Sequence, residues 1–126
     1  DKIIEKALKL VKNKSRYIEI EVENKKQALG AARIIKKLDN NNNLFAIMLD
    51  KIKPQEIKFV IEELKNKDLY DYVLLEASGN ITPNNLMEYA NCGVDVISMG
   101  YITNSAKVLN MSLEIKWTLA SSAAAL

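Results

Sequence analysis

The chain has 126 residues, 48% hydrophobic and 27% charged, the balance of one ordinary globular domain rather than of a disordered segment. Its 18 basic and 16 acidic residues leave a net charge of only +2 and are interspersed, which argues against a nucleic-acid surface built on a basic stripe. Histidine is absent and cysteine occurs once; this excludes a histidine general base, a Ser-His triad, a zinc site of the usual histidine type and an internal disulfide, and it points to a reducing, cytoplasmic setting.

Ile3, Ile4, Ala7, Leu8, Leu10 and Val11 recur at helical spacing between lysines and glutamates, predicting an amphipathic helix over residues 2–12. A strand is expected from Tyr17 to Val22. Asn24 can cap a second helix, whose apolar side carries Ala28, Leu29, Ala31, Ala32, Ile34, Ile35 and Leu38. The asparagine run at 40–43 should end it as a solvated turn without function.

Phe45 to Leu49 is short and continuously apolar, as expected of a strand covered on both faces. Pro54 then stands where a helix begins, with Ile57, Phe59, Val60, Ile61 and Leu64 as its buried side. A third strand over 72–77 leads into Ser78-Gly79-Asn80, and a helix is predicted from Thr82-Pro83 to Asn91 with Gly93 as its C-cap. A fourth strand, 94–99, ends at Gly100. A short helix over 103–109 and a segment over 111–117 follow. Strand starts roughly 22 to 28 residues apart are the mark of parallel βα units with right-handed crossovers. No apolar run approaches the roughly 18 residues of a membrane span.

The period of two in Ile18-Glu19-Ile20-Glu21-Val22-Glu23 sends the three glutamates to one face and the aliphatic residues to the other. Unpaired carboxylates do not belong in a dry core. The face is therefore either a wet functional cavity or the solvated side of an edge strand, whose charge discourages aggregation. Asp50 ends the second strand and Glu76 lies near the end of the third, where α/β folds place their ligand sites. Crowded carboxylates need a cation: Mg²⁺ brought by a phosphate substrate, shared substrate hydroxyls, or, more plainly, a protein lysine.

Ser78-Gly79-Asn80 between strand and helix offers small residues and free amides that can cradle an anion, or it is simply a tight turn. Ser98-Met99-Gly100 repeats the arrangement one unit later, followed by Thr103, Asn104 and Ser105. Two adjacent glycine loops suit one phosphate. Lys51 and Lys107 are weaker candidates for neutralising it. Cys92, without histidine or a basic cluster nearby, reads as a buried inert thiol.

Four strings now stand in order: Ile18-Glu19-Ile20-Glu21-Val22-Glu23-Asn24, Ile47-Met48-Leu49-Asp50, Leu75-Glu76-Ala77-Ser78-Gly79 and Gly93-Val94-Asp95-Val96-Ile97-Ser98-Met99-Gly100. Over residues 3–116 the chain resembles quinolinate phosphoribosyltransferase, the carboxylating nicotinate-nucleotide pyrophosphorylase. The resemblance implies an α/β fold of parallel βα repeats forming part of a (β/α) barrel. It also implies transfer of phosphoribose from phosphoribosyl pyrophosphate to the quinolinate nitrogen, then loss of CO₂, a step of NAD biosynthesis.

Carried to matching positions, Glu21 and Asp50 are the catalytic carboxylates that face the ribose and a Mg²⁺-pyrophosphate. Ser78, Gly79, Asn80 and Gly100 hold the 5′-phosphate, while Glu19, Glu76 and Asn104 are lesser candidates. The chain departs from the pattern in three places. Lys51 replaces the usual Asn after the Asp, Asn80 replaces the second Gly of a Ser-Gly-Gly loop, and Asn104 stands where many members have His. Asn tolerates left-handed backbone, so the loop is expected to survive.

The family's Arg, Lys and His residues that bind quinolinate lie upstream of these motifs, as does the domain that completes the site across a homo-oligomer. The chain opens on Asp1-Lys2-Ile3-Ile4 without Met, as an interior cut of a longer protein would, and residues 118–126 are an Ala/Ser tail of the kind expression vectors leave behind. The expected organisation is a partial barrel domain over 1–117 and a tail over 118–126. Such a chain should be inactive alone. The competing readings are a related enzyme for another base and a non-catalytic half-barrel that binds phosphate. Four βα units cannot close an eight-strand barrel, so the edges are expected to be paired, covered or rearranged into a layered sheet.

Overall fold

The computed structural model describes residues 2–11, 13–38 and 43–104. In chain order these form α1 (Lys2–Val11), β1 (Tyr17–Val22), α2 (Lys25–Leu38), β2 (Leu44–Asp50), α3 (Pro54–Asn66), a 3₁₀ turn (Tyr70–Tyr72), β3 (Leu74–Ser78), α4 (Leu86–Ala90), β4 (Val96–Ile97) and α5 (Tyr101–Asn104). The segments expected over 111–117 and 118–126, and all but the start of the helix expected over 103–109, lie outside the described residues.

Among the described residues the four strands form one sheet in the order β1-β2-β3-β4, every pair parallel. The order never reverses. Right-handed crossovers that always step the same way put the connecting helices on one face of the sheet. The other face is left without a helical layer among the described residues. The sheet is open.

The register sorts the side chains. Ile18, Ile20 and Val22 of β1 align with Phe45, Ile47 and Leu49 of β2, and Leu75 and Ala77 of β3 continue the two upper rows. Ile47, Leu49, Leu75 and Ala77 are fully buried, packed with Ala28, Ala31, Ala32 and Ile35 of α2 and Ile57, Val60 and Leu64 of α3. This apolar layer is the core. β2 is shielded on both faces as expected, Phe45, Ile47 and Leu49 by the helices and Ala46, with Met48 in part, by the neighbouring strands' side chains.

Local signals explain most boundaries. Asn24 Oδ1 accepts the backbone N–H of Gln27, and the backbone N–H of Glu23 donates to Gln27 Oε1, so side-chain oxygens satisfy two amides at the start of α2. Pro54 opens α3 at a position where its missing N–H costs nothing. The buried stripe Ile57, Val60, Ile61 and Leu64 follows the i, i+3, i+4, i+7 rule. Phe59, expected on that side, is instead 60% exposed, because two residues of helix turn it about 200° from Ile57.

Other expectations shift. In α1 only Leu8 is buried and Ile3 is 84% exposed; the helix packs chiefly against α2, whose Lys37 pairs with Glu5. A 3₁₀ turn over Tyr70–Tyr72 takes the residue at which the third strand is expected to start, and the strand begins at Leu74. The fourth helix begins at Leu86, not at Thr82. Asn85 Oδ1 accepts the Thr82 N–H and its Nδ2 donates to the Asn80 carbonyl, holding a turn first. Gly93 does adopt a left-handed φ of 88°, but Asn91 caps α4. At the lower end of the sheet, Lys36 of α2 donates to the carbonyl and Oδ2 of Asp68 and lies 4.9 Å from the centre of the Tyr72 ring.

Candidate active site at the strand ends

The face without helices carries Tyr17, Glu19 and Glu21 of β1, Leu44, Ala46, Met48 and Asp50 of β2, and Leu74, Glu76 and Ser78 of β3. Glu21 aligns with Met48, and Asp50 aligns with Ser78. Glu21 and Asp50 thus share a face on adjacent strands, offset by two residues, which sets their Cα atoms about 8 Å apart. Glu23 lies beyond the end of β1, so two glutamates, not three, line the face. Among the described residues β1 is also an edge strand, with Glu19 and Glu21 exposed on its open side.

Asp50 stands directly against the first glycine turn. A Cβ built on Gly79 would stand 2.6 Å from Asp50 Oδ1 and 2.8 Å from the Lys51 backbone nitrogen, closer than any side chain tolerates. Gly79 also has φ +85° and Asn80 φ +56°, so the turn uses left-handed backbone at both positions. Asn80 is suited to it, since its short polar side chain lowers the penalty. Asn80 thus takes the left-handed backbone that the sequence leads one to expect of it.

Lys51 has left-handed φ as well, at +56°. Its backbone N–H donates to the Ser78 carbonyl at 2.8 Å and its Nζ to Asp50 Oδ2 at 2.8 Å. The hydrogen bond and charge of Asp50, with smaller contributions from Glu21 and Glu23, hold the Lys51 ammonium above the ordinary lysine range. A lysine of the chain itself thus stands against the Asp50 carboxylate. By sequence alone Lys51 is a weak candidate, and the one signal for it is its place beside Asp50 at a strand end.

The second glycine loop begins one strand over. The backbone N–H of Ser98 donates to the Ala77 carbonyl at 2.9 Å, which ties the two loops at the same end of the sheet. The Gly100 carbonyl accepts the backbone N–H groups of Thr103 and Asn104 and the Thr103 hydroxyl, so Asn104 is held one helical turn from Gly100. Gly100 has no left-handed φ, and a Cβ added to it would find Asn104 Nδ2 as its nearest neighbour, at 3.5 Å. Its lack of a side chain keeps its surroundings open without being required by the backbone.

Glu19 and Glu76 form a second acidic pair on the same face, with Glu76 level with Met48 and Glu21 and Glu19 one row below. Among the described residues Glu76 is the one charged residue that is buried, at 6% exposure. Glu19 lies diagonally from it across the small Ala46. Loss of solvent, then the charge of Glu76 and a shared hydrogen bond with it, raise the Glu19 carboxyl above its ordinary value. The Tyr17 hydroxyl donates to Glu19 Oε2 at 3.4 Å, and loss of solvent, then the charges of Glu19 and Glu76, raise the phenol in turn. The acids expected at one mouth thus form two pairs on one face: an upper pair, Glu21 and Asp50, toward the strand ends, and Glu19 with Glu76, the latter in the same row as Glu21.

Among the described residues no group of three or more His, Cys, Asp or Glu stands ready to hold a metal ion. Glu21 and Asp50 are a two-carboxylate donor set, which suits a Mg²⁺ that keeps waters and substrate phosphates as its other ligands. Cys92 is buried, its thiol donating to the Pro54 and Glu88 carbonyls, and burial raises it above the ordinary thiol range. This fits an inert thiol. No helix among the described residues is long and apolar enough to cross a membrane.

Fold and site together define an α/β domain whose polar and acidic groups gather at the carboxyl ends of parallel strands, where such sheets hold their ligands. Comparison with known proteins narrows this. Residues 1–114 match the model of the quinolinate phosphoribosyl transferase C-terminal domain, and the chain belongs to that family.

Among similar curated proteins are the probable carboxylating nicotinate-nucleotide pyrophosphorylases of Methanothermobacter thermautotrophicus and Archaeoglobus fulgidus. The first is 40% identical over 81% of this chain and 34% of its own length; the second is 37% identical over 89% of this chain and 40% of its own length. The solved nicotinate-nucleotide pyrophosphorylase of Francisella tularensis superposes with a TM-score of 0.63 at 32% identity, covering 88% of this chain and 35% of that one. The chain thus spans between a third and two-fifths of the length of these relatives.

Proposed function

We propose that the protein to which this chain belongs transfers phosphoribose from phosphoribosyl pyrophosphate to quinolinate, giving nicotinate mononucleotide, CO₂ and pyrophosphate in NAD biosynthesis. The relatives' names support the reaction. The observation that carries it is the placement of Asp50 against the Ser78-Gly79 turn with Glu21 on the same face.

In this reading the bond from the anomeric carbon to pyrophosphate breaks as the quinolinate nitrogen bonds to that carbon. Glu21 and Asp50 stabilise the positive charge that develops on the ribose, and neither acts as a nucleophile. The Ser78 hydroxyl, the amides of Gly79, Asn80 and Gly100, and the Asn104 side chain hold the 5′-phosphate, which fixes the ribose for in-line attack. The ring then loses its neighbouring carboxylate as CO₂, and the electron pair left on carbon takes a proton. Glu21 and Asp50 would hold a Mg²⁺, which would supply charge neutralisation for the leaving pyrophosphate. Glu76, level with Glu21, and Glu19, one row below it, set the charge of the face.

The intact protein works as a homo-oligomer in the cytoplasm, within a barrel that upstream strands continue from β1. The buried free thiol of Cys92 fits a reducing compartment. The cationic residues for the two quinolinate carboxylates come from upstream, so this chain binds phosphate without turnover. The test is to incubate the chain, and separately the intact protein, with quinolinate, phosphoribosyl pyrophosphate and Mg²⁺. Nicotinate mononucleotide is expected from the intact protein alone, with loss of turnover on Asp50→Asn. Product from the chain by itself would overturn the division of labour, and an intact protein that makes none would overturn the reaction.

A further inference from the structure

Lys51 is the least expected residue of the upper site. Its backbone accepts a conformation that lysine disfavours, φ +56°, and in that conformation its amide ties β2 to β3 through the Ser78 carbonyl. A Cβ on Gly79 would lie 2.5 Å from Lys51 Cγ, so the lysine stem runs over the bare Gly79 backbone. Its Nζ ends 2.8 Å from Asp50 Oδ2, with the Asp50 side chain only 13% exposed and the lysine side chain 64% exposed. The stem is thus guided across the turn to the carboxylate, while the lysine remains open to solvent and free to leave.

An ammonium on Asp50 and a divalent cation on Asp50 compete for the same oxygens. Without the lysine the upper pair, Glu21 and Asp50, has charge −2; with it the group has charge −1. A compact ammonium on a flexible stem is well suited to give way when a phosphate arrives, because it can exchange a carboxylate for a phosphate oxygen a few ångströms away.

We propose that Lys51 is a tethered counter-ion that occupies the Asp50 carboxylate in the resting protein, weakens the binding of a free divalent cation there, and releases the carboxylate when a phosphate-bearing ligand draws the lysine off. The inference rests on the reading of Glu21 and Asp50 as the cation-holding carboxylates. Lys51 is in this sense a positioning residue: it acts through Asp50 and favours arrival of the metal together with its phosphate ligand over arrival of the metal alone.

Mn²⁺ as a probe, counted as free ion by electron paramagnetic resonance, tests this on the 126-residue chain without any turnover. Lys51→Asn is the informative variant, because Asn accepts left-handed backbone and the turn is kept. It should bind Mn²⁺ on the order of tenfold more tightly than the wild-type chain, the effect of removing one like charge at close range in a mostly aqueous setting. Lys51→Arg, which keeps the charge, should remain close to wild type. Adding inorganic pyrophosphate should narrow the gap between Lys51→Asn and wild type.

Equal Mn²⁺ affinity in wild type and Lys51→Asn, with binding lost on Asp50→Asn, would overturn the role of Lys51 and leave the carboxylate assignment standing. Binding that persists in a Lys51→Asn, Asp50→Asn double variant, or no binding in Lys51→Asn, would overturn the carboxylate assignment itself.

Discussion

Asp95 and Leu75 hold each other at both ends of one backbone unit: the Asp95 N–H donates to the Leu75 carbonyl at 2.9 Å, and the Leu75 N–H donates to Asp95 Oδ2 at 2.8 Å. A carboxylate thus stands in for a strand partner just before β4 begins. Leu75 is fully buried, so its amide has no water to turn to. The clasp fixes where β4 enters the sheet edge, and with it the position of the Ser98–Gly100 loop beside the Ser78–Gly79 turn.

Asp95→Ala should therefore cost about 1–3 kcal/mol, the range for a buried backbone donor left without its acceptor. Urea unfolding of the chain measures this. An unchanged midpoint would show that the side chain is dispensable to the sheet edge.

The two glycines of the site should respond differently to an added methyl group. At Gly79 the methyl would meet Asp50 Oδ1, Lys51 Cγ and the Lys51 nitrogen within 2.8 Å, on left-handed backbone; Gly79→Ala is expected to cost about 1–3 kcal/mol or more. At Gly100 the nearest neighbour is 3.5 Å away, and Gly100→Ala should shift stability by about 0.5 kcal/mol at most. Thermal and urea unfolding compare the pair. Calorimetry with inorganic phosphate then asks whether Gly100→Ala, though folded, loses the anion that the proposed function places at its amide.

Glu19 gives the fold a pH dependence of defined sign. Its carboxyl is raised above the ordinary 4.5 in the folded chain, so the folded state keeps a proton that the unfolded state has released. Stability therefore falls as pH rises from about 4.5 through the raised value, and the penalty is complete above it. Glu19→Gln should flatten that limb and stabilise the chain at neutral pH. Unfolding midpoints between about pH 4 and 8 for both proteins supply the check, and a steeper limb in the variant would contradict it.

Asn24→Ala removes the acceptor for the Gln27 amide at the start of α2. A loss of about 1 kcal/mol is expected. Asn24→Asp should retain most of it, which circular dichroism during thermal unfolding can resolve.

Much of this architecture was legible in the sequence because it rests on periodicity. The alternation in Tyr17–Val22, the stripes of α2 and α3 and the Asn24 cap follow from residue spacing, and they appear where expected. What escaped depends on contacts that spacing does not encode. The start of α4 is delayed by Asn85 reaching back to Thr82 and Asn80, and β3 is shortened by a 3₁₀ turn.

The site divides the same way. A shared face for Glu21 and Asp50 follows from counting in twos. The Lys51 contact does not. Consecutive strand residues point to opposite faces, and only the left-handed backbone at Lys51 turns its side chain back to the carboxylate beside it. The division of the acids likewise depended on Ala46 being small enough for Glu19 and Glu76 to meet across it.

The grip of Lys36 on Asp68, with Tyr72 stacked beneath the ammonium, belongs to the connections that enter the strands, whereas the ligand loops leave from the opposite rim. Fastening at one rim frees the other to vary. Substitutions in the loops at that rim can accumulate without loosening the scaffold, and the cost of exploring new chemistry is separated from the cost of staying folded.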